Sequence, residues 1–338
     1  MINFRTFRNG DPPALSELWN SGFQSLPAGR VARPLSPHEF DQEVMGKFHF
    51  DPAGLIVAEE GREIVGYAHG GFGIDKVDDP IHRLSLVMGT IGMLLVRPEI
   101  DDPGEIVDGL IHCCEKYLLD RGAAVLYAGG RQPLNPYYWG IYGGSEWSGV
   151  LGSDRRMREF IAGAGYEPVA ESTLLEVDLT RFVEPRDPKL AMLRRRTRIT
   201  INDDPAPGYA WDEIAIGSFY PVRFALMSKT DERVMARAMT WDMDWFSRDD
   251  DRPRLGIVEM YVEPEQRRQG MARLLLGEIL QTARGQGIEI VAVQTGATNL
   301  PAIGLYKSLG FEPVDTATLY RLPAELTNRS RNDTRICR

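Results

Sequence analysis

Ala272, Leu275, Leu276, Ile279, Leu280 and Ala283 fall at i, i+3, i+4, i+7, i+8 and i+11, one apolar stripe of an amphipathic helix. Shorter apolar runs bounded by Gly, Pro and charged residues read as strands at 2–7, 55–58, 64–69, 91–96, 124–128 and 174–179. Glu60-Gly61 makes the second and third of these a hairpin. Helices are predicted at 104–119, at 155–164 ahead of Gly165, and after Asp11, which reads as an N-cap followed by Pro12-Pro13. Farther along, 224–227 and 234–241 read as a hairpin around 229–232. Segments 256–262, 288–294 and 313–322 read as strands, and 301–309 as a helix. Strands interleaved with helices predict an α/β fold.

The pattern occurs twice. Leu94-Leu95-Val96-Arg97-Pro98-Glu99 resembles Met260-Tyr261-Val262-Glu263-Pro264-Glu265 at an offset of 166 residues. Gly165-Tyr166-Glu167-Pro168-Val169 resembles Gly310-Phe311-Glu312-Pro313-Val314 at an offset of 145. Two landmarks in one order predict a tandem duplication. Prolines interrupt a polar stretch at 181–188, which sets the expected domains at 1–183 and 184–338. The front of the second copy, between Lys189 and Pro221, has little room for opening helices. The first copy carries about 21 extra residues around 131–152, among them Pro136-Tyr137-Tyr138-Trp139-Gly140-Ile141-Tyr142-Gly143-Gly144. Such a segment builds a ligand wall or an interface, or packs as a loop on its own domain.

With 338 residues, 43% of them hydrophobic and 26% charged, the chain affords two cores without staples. A net charge of −9 without a long basic run argues against a general nucleic-acid binder. No apolar run reaches the roughly 20 residues that span a bilayer. The first residues lack a signal-peptide pattern, so a cytoplasmic protein is expected. Three cysteines, two of them adjacent, argue against a disulfide framework, and Cys114 shares a helical stripe with Val107, Leu110, Ile111 and Leu118. His69, His82 and His112 have no metal-ligand spacing, and no metal is expected.

The chemistry concentrates in Val262-Glu263-Pro264-Glu265-Gln266-Arg267-Arg268-Gln269-Gly270-Met271-Ala272. A strand ends, an Arg- and Gln-rich turn follows, and a helix begins. Unpaired N–H groups at a helix start attract phosphate, Gly270 allows close approach, and Arg267, Arg268 and Arg273 add guanidinium donors. The pattern fits a pyrophosphate cradle, or a capped helix with a solvated basic turn.

Arg267-Arg268-Gln269-Gly270-Met271-Ala272 resembles the R/Q-x-x-G-x-G/A acyl-CoA signature of the GNAT N-acetyltransferase family. Met260-Tyr261-Val262-Glu263-Pro264 resembles that family's fourth strand, and Asn299, Tyr306 and Gly310-Phe311 follow in the family's order. The resemblance covers about residues 222–322 and, through the repeat, extends to the first copy. It implies two tandem GNAT-like folds, each a mixed central sheet flanked by helices, with acetyl-CoA in a V-shaped split between two strands. Met260, Tyr261 and Val262 would pair with the pantetheine. Arg267, Arg268, Gln269, Gly270, Met271, Ala272 and Arg273 would hold the pyrophosphate, and Asn299, Ala302 and Tyr306 would complete the binding site. It also implies Tyr306 as general acid toward the leaving thiolate and Glu259 as a candidate base, directly or through water. Asp242 and Asp244 are weaker acidic candidates, and Trp241, Trp245 and Phe246 line the acceptor site or the core.

The first copy departs from the pattern. Asp101-Asp102-Pro103-Gly104-Glu105-Ile106 stands where the Arg-rich turn stands in the second, and Asp154 and Ile161 stand at the positions of Asn299 and Tyr306. Carboxylates there would repel an anionic cofactor. The implied activity is acetyl transfer from acetyl-CoA to a primary amine, on a small molecule or a protein, by a monomer or homodimer. The alternative is a non-catalytic acyl-CoA sensor.

Overall fold

The computed structural model describes residues 1–24, 32–76, 83–134, 136–146, 148–184, 187–203, 205–206, 211, 214–215, 219–243 and 252–331. Their strands are β1 (Ile2–Thr6), β2 (Leu55–Glu60), β3 (Glu63–Ile74), β4 (Leu84–Val96), β5 (Val125–Ala128), β6 (Val150–Leu151) and β7 (Glu167–Asp178), then β8 (Thr197–Asn202), β9 (Pro221–Ser228), β10 (Val234–Asp242), β11 (Arg254–Val262), β12 (Ile290–Gly296) and β13 (Glu312–Arg321). The α-helices are α1 (Pro12–Phe23), α2 (Pro37–Phe40), α3 (Gly104–Asp120), α4 (Arg155–Gly163), α5 (Pro188–Arg196), α6 (Met271–Gly285), α7 (Leu300–Lys307) and α8 (Ala324–Arg331).

One sheet runs through the described residues in the order β1-β2-β3-β4-β5-β13-β7-β12-β11-β10-β9-β8, with β6 beside β13. Exchanging the two copies reads this order backwards. Each copy's closing strand lies beside the other copy's inner strand: β7 pairs antiparallel with β12, and β13 with β5. The two closing strands pair with each other over most of their length. Cores follow the exchange. Leu175 and Val177 of β7 pack with Leu276, Leu280 and Phe311, whereas Ala317 and Tyr320 of β13 join the core of Leu110, Leu126 and Ile161.

The duplication is legible in backbone irregularities. Opposite β3, the β4 register skips Gly92, and opposite β10, the β11 register skips Val258. The two bulges stand 166 residues apart, the offset of the sequence repeat. β4 runs parallel to β5 only from Met88/Val125 to Ile91/Ala128, and β11 to β12 only from Arg254/Ile290 to Ile257/Val293. Beyond Ile257 the strands part, which opens the second copy's split.

Several expectations change in detail. The strand expected at 174–179 extends back to Glu167, because its neighbours come from the other copy. Asp11 precedes α1, but its carboxylate accepts from Arg5 at 2.7 and 2.8 Å and from the Arg8 N–H at 2.7 Å rather than capping the helix. An ion pair beside a buried guanidinium outcompetes the cap. The space between Lys189 and Pro221 holds α5 and edge strand β8. Cys114 is buried and free, while Cys113, against the argument that disfavoured disulfides, is disulfide-bonded.

The aromatic insertion serves both copies. Tyr137 and Tyr138 fill the first copy's interior, where the His69 ring stacks on Tyr137 at 4.5 Å and Nδ1 hydrogen-bonds the Tyr138 hydroxyl at 3.0 Å. Its other face docks on the second copy. Trp139 packs on Trp241 at 4.8 Å and on Phe219 at 5.4 Å, and a Cβ on Gly140, at φ +80°, would lie 2.3 Å from the Phe219 ring.

His69 is 1% exposed, and burial pulls its pKa down to about 3. Its folded value lies below the ordinary value near 6.5, so the unfolded chain takes up the proton first. The contribution is fully present above that value and declines as the pH falls toward 3. From pH 7 to pH 5, this one group removes about 2 kcal/mol of stability. The urea midpoint of wild type should fall more steeply between pH 7 and pH 5 than that of His69→Gln. A wild-type slope unchanged in the variant would assign the acid sensitivity elsewhere.

Candidate active site

Beyond Ile257 no strand among the described residues covers the β12-facing edge of β11, so alternate backbone N–H and C=O groups there face the split. The split opens into a cavity of about 800 Å³ lined by Ile257 to Val262, Gln266 to Arg268, Gly270 to Arg273, Val293 to Thr295, Asn299, Pro301, Ala302, Leu305, Tyr306 and Glu146. The sequence-derived residues Glu259, Met260, Tyr261, Val262, Arg267, Arg268, Gly270, Met271, Ala272, Arg273, Asn299, Ala302 and Tyr306 are thus brought together. Gln269 is turned away from the lining, and its Nε2 donates to the Glu265 carbonyl at 2.8 Å.

At the cavity's basic end, the chain reverses through Arg268 at φ +60° and Gly270 at φ +92°. Glycine accepts this conformation at little cost, whereas a non-glycine residue such as Arg268 is held there by its surroundings. The first α6 hydrogen bond runs from the Leu274 N–H to the Gly270 carbonyl at 2.9 Å. The N–H groups of Met271, Ala272 and Arg273 therefore have no acceptor within the helix, and they carry the positive end of its dipole. Arg267 donates to the Val262 carbonyl at 3.1 Å and lies over Tyr261, while Arg273 pairs with Asp187 at 3.7 Å. Donor geometry and charge suit a pyrophosphate.

The first copy closes the corresponding position on itself. α3 begins after Pro103, which has no N–H, and the Gly104 N–H donates to Asp102 Oδ1 at 3.4 Å. Ile161, at the Tyr306 position, is fully buried.

Tyr306 projects from α7 into the cavity wall, 4% exposed and in ring contact with Phe311 at 5.6 Å. Burial, assisted by the negative charge of Glu146, pushes its phenol well above the ordinary value, so it stays a neutral donor. Asn299 caps α7, accepting from the Ala302 N–H at 3.4 Å and donating to Thr295 Oγ1 at 3.1 Å. Glu259 Oε1 accepts from Arg237 Nε at 2.8 Å, and Arg237 stacks on Tyr261 at 4.4 Å. Asp242 sits exposed at the end of β10, outside the lining, and Trp241 is buried in the aromatic contact with Trp139. Asp244, Trp245 and Phe246 lie outside the described residues.

Among the lining residues that sequence reasoning missed are two polar ones that join the two copies, Glu146 and Gln294. Glu146 comes from the first copy's insertion, which has no counterpart in the second. Gln294 stands on β12 immediately past Val293, its last residue paired with β11, and its Oε1 accepts the Glu146 N–H at 3.0 Å.

The model of the acetyltransferase (GNAT) family matches residues 193–311, the stretch that builds this split and turn. Residues 193–311 thus match a GNAT acetyltransferase domain. Over 59 residues the chain is 44% identical to human N-acetyltransferase 8, covering 18% of this chain and 26% of the relative. An uncharacterized N-acetyltransferase of Methanocaldococcus jannaschii is 35% identical over 71 residues, covering 21% of this chain and 31% of its own. The chain thus spans about a quarter to a third of these curated relatives. Among solved structures, a tandem GNAT protein from the clavulanic acid biosynthesis pathway superposes with a TM-score of 0.65 at 15% identity, covering 96% of this chain and 99% of its own. A GCN5-related glucosamine N-acetyltransferase region of a fungal multi-domain β-N-acetylglucosaminidase superposes with a TM-score of 0.68 at 16% identity, covering 95% and 38%. The fold is two tandem GNAT-like units. Among the described residues, no helix is long and apolar enough to cross a membrane, and no group of three or more His, Cys, Asp or Glu is placed to hold a metal.

Proposed function

We propose that the chain is an N-acetyltransferase with one acyl-CoA site, in the unit of residues 184–338, and that residues 1–183 form a unit without one. The observation that carries this reading is the contrast between two helix starts. The α6 turn offers N–H groups and arginines, whereas at the α3 start Pro103 has no N–H, aspartates replace the arginines and the Gly104 N–H donates to Asp102.

Acetyl-CoA would supply the activated thioester, and the acceptor would be a primary amine that attacks it directly. Arg267, Arg268, Arg273 and the Gly270–Arg273 backbone would neutralise the pyrophosphate. The edge of β11 from Met260 to Val262 would align the pantetheine, with Asn299 and Ala302 at the facing helix start. Glu259, positioned by its hydrogen bond from Arg237, would accept the amine's proton through water. Tyr306 would donate to the departing sulfur. These groups favour the charge that develops during reaction over the ground state.

Calorimetric titration with acetyl-CoA should give a stoichiometry near one per chain. Two equivalent sites, or none, would overturn the reading. Gly270→Glu should weaken binding by more than about a hundredfold, since a left-handed backbone is costly for Glu and its charge repels phosphate. Undiminished affinity in a folded variant would show the cradle to be misplaced.

A further inference from the structure

Glu146 belongs to the first unit by sequence and to the second unit's cavity by position. It lines the split together with Gln294, Tyr306 and Glu259. Its backbone is fixed on both sides by residues of the second unit. The preceding carbonyl, of Ser145, accepts from Trp241 Nε1 at 3.0 Å, and its own N–H donates to Gln294 Oε1 at 3.0 Å. Ser148, two residues on, also donates to Gln294 Oε1, at 3.5 Å. Gln294 is 6% exposed, and its bond to Ser148 is buried. The Trp139–Trp241–Phe219 cluster anchors the segment just ahead of it. Residues held this way are pre-organised, and a charge so placed loses little entropy on meeting a ligand.

Charge is distributed unevenly along the cavity. Arg267, Arg268 and Arg273 stand at the α6 turn, while Glu146 stands where β11 and β12 begin to part, with Glu259 on the adjoining stretch of β11. Glu146 is close enough to act electrostatically on the Tyr306 phenol. An acceptor amine arrives at neutral pH as an ammonium ion. A carboxylate at the narrow end attracts that cation, and the same carboxylate repels an acceptor that carries an acid group.

We propose that Glu146 is a specificity-determining residue, lent by the first unit to the second unit's site, which binds an ammonium group of the acceptor and selects cationic amines over amines that carry an acid group. The inference rests on the acetyltransferase reading above. It gives the first unit a direct part in acceptor recognition despite its closed phosphate position.

The test compares 1,5-diaminopentane with 6-aminohexanoate, equal in reach but opposite in the charge of the far end. Thiol release from acetyl-CoA is followed, and binding of each amine to the CoA-loaded protein is measured by calorimetry. Wild type should bind and use the diamine at least about tenfold better. Glu146→Gln should raise the diamine KM and Kd by about tenfold to a hundredfold, the range of a lost charged hydrogen bond, with acetyl-CoA affinity unchanged. Glu146→Lys should reverse the preference toward 6-aminohexanoate, a result that a purely structural role would not produce. Equal handling of both amines by wild type, absence of diamine binding, or a diamine Kd unmoved in a folded Glu146→Gln would overturn the inference while leaving the acyl-CoA reading in place. Failure of acetyl-CoA itself to bind would instead overturn that reading.

Discussion

Replacing Tyr306 with Phe lowers turnover by about 10²–10⁴-fold, the usual contribution of a general acid, and leaves acetyl-CoA affinity nearly unchanged. The ring's contacts with Phe311 survive the change, so packing and stability are conserved. What disappears is a hydroxyl kept neutral by burial and by the nearby Glu146 charge. A raised phenol is a poor acid in the ground state but a persistent donor, and its hydrogen bond strengthens as negative charge accumulates on sulfur. Turnover and kcat/KM should therefore fall together, the pattern of an interaction made mainly in the transition state. If water reaches the sulfur, the loss is smaller. Unchanged turnover, measured where chemistry limits the rate, would assign Tyr306 to packing and favour an acyl-CoA sensor over an enzyme.

A chain ended after Phe311 should fail to fold in either half, although it keeps every residue of the first unit. β13 supplies Ala317, Tyr320 and the following Leu322 to the first unit's core and covers both β6 and one edge of β7. Its removal leaves β5 and β7 with open edges and buried apolar faces exposed. The intact chain should correspondingly unfold in one cooperative transition, with calorimetric and van't Hoff enthalpies in agreement. Two separate transitions, or a soluble truncated chain with native circular dichroism, would show that the exchanged strands contribute less than the topology implies.

The sequence was informative wherever chemistry and period are local. The α6 stripe, the glycine of its turn and the repeat itself could be read from spacing, and the cavity gathers the residues named from them, Gln269 excepted. Partner choice was not legible. Alternation marks β7 and β13 as strands but says nothing about which edge each one joins, because either copy offers a suitable edge. Asp11 shows the same limit at short range: a good capping residue was taken by a buried arginine. Glu146 was hidden for a third reason. It sits in an insertion without a counterpart, and its role depends on docking against Trp241 and Gln294, far away in the chain.

The placement of β13 also sets a schedule for synthesis. A ribosome makes residues 1–178 long before it makes residues 312–321, yet the strand that lies between β5 and β7 is that late one. Through most of translation, the nascent first unit carries an unfilled slot, and β7 waits for both of its eventual neighbours. The slot invites the wrong strand, whether β7 folding back or a strand from another nascent chain on the same message. Chaperone demand and yield should therefore depend on how quickly the second half is translated, a property set by codon choice over residues 184–321 rather than by any side chain in the finished protein.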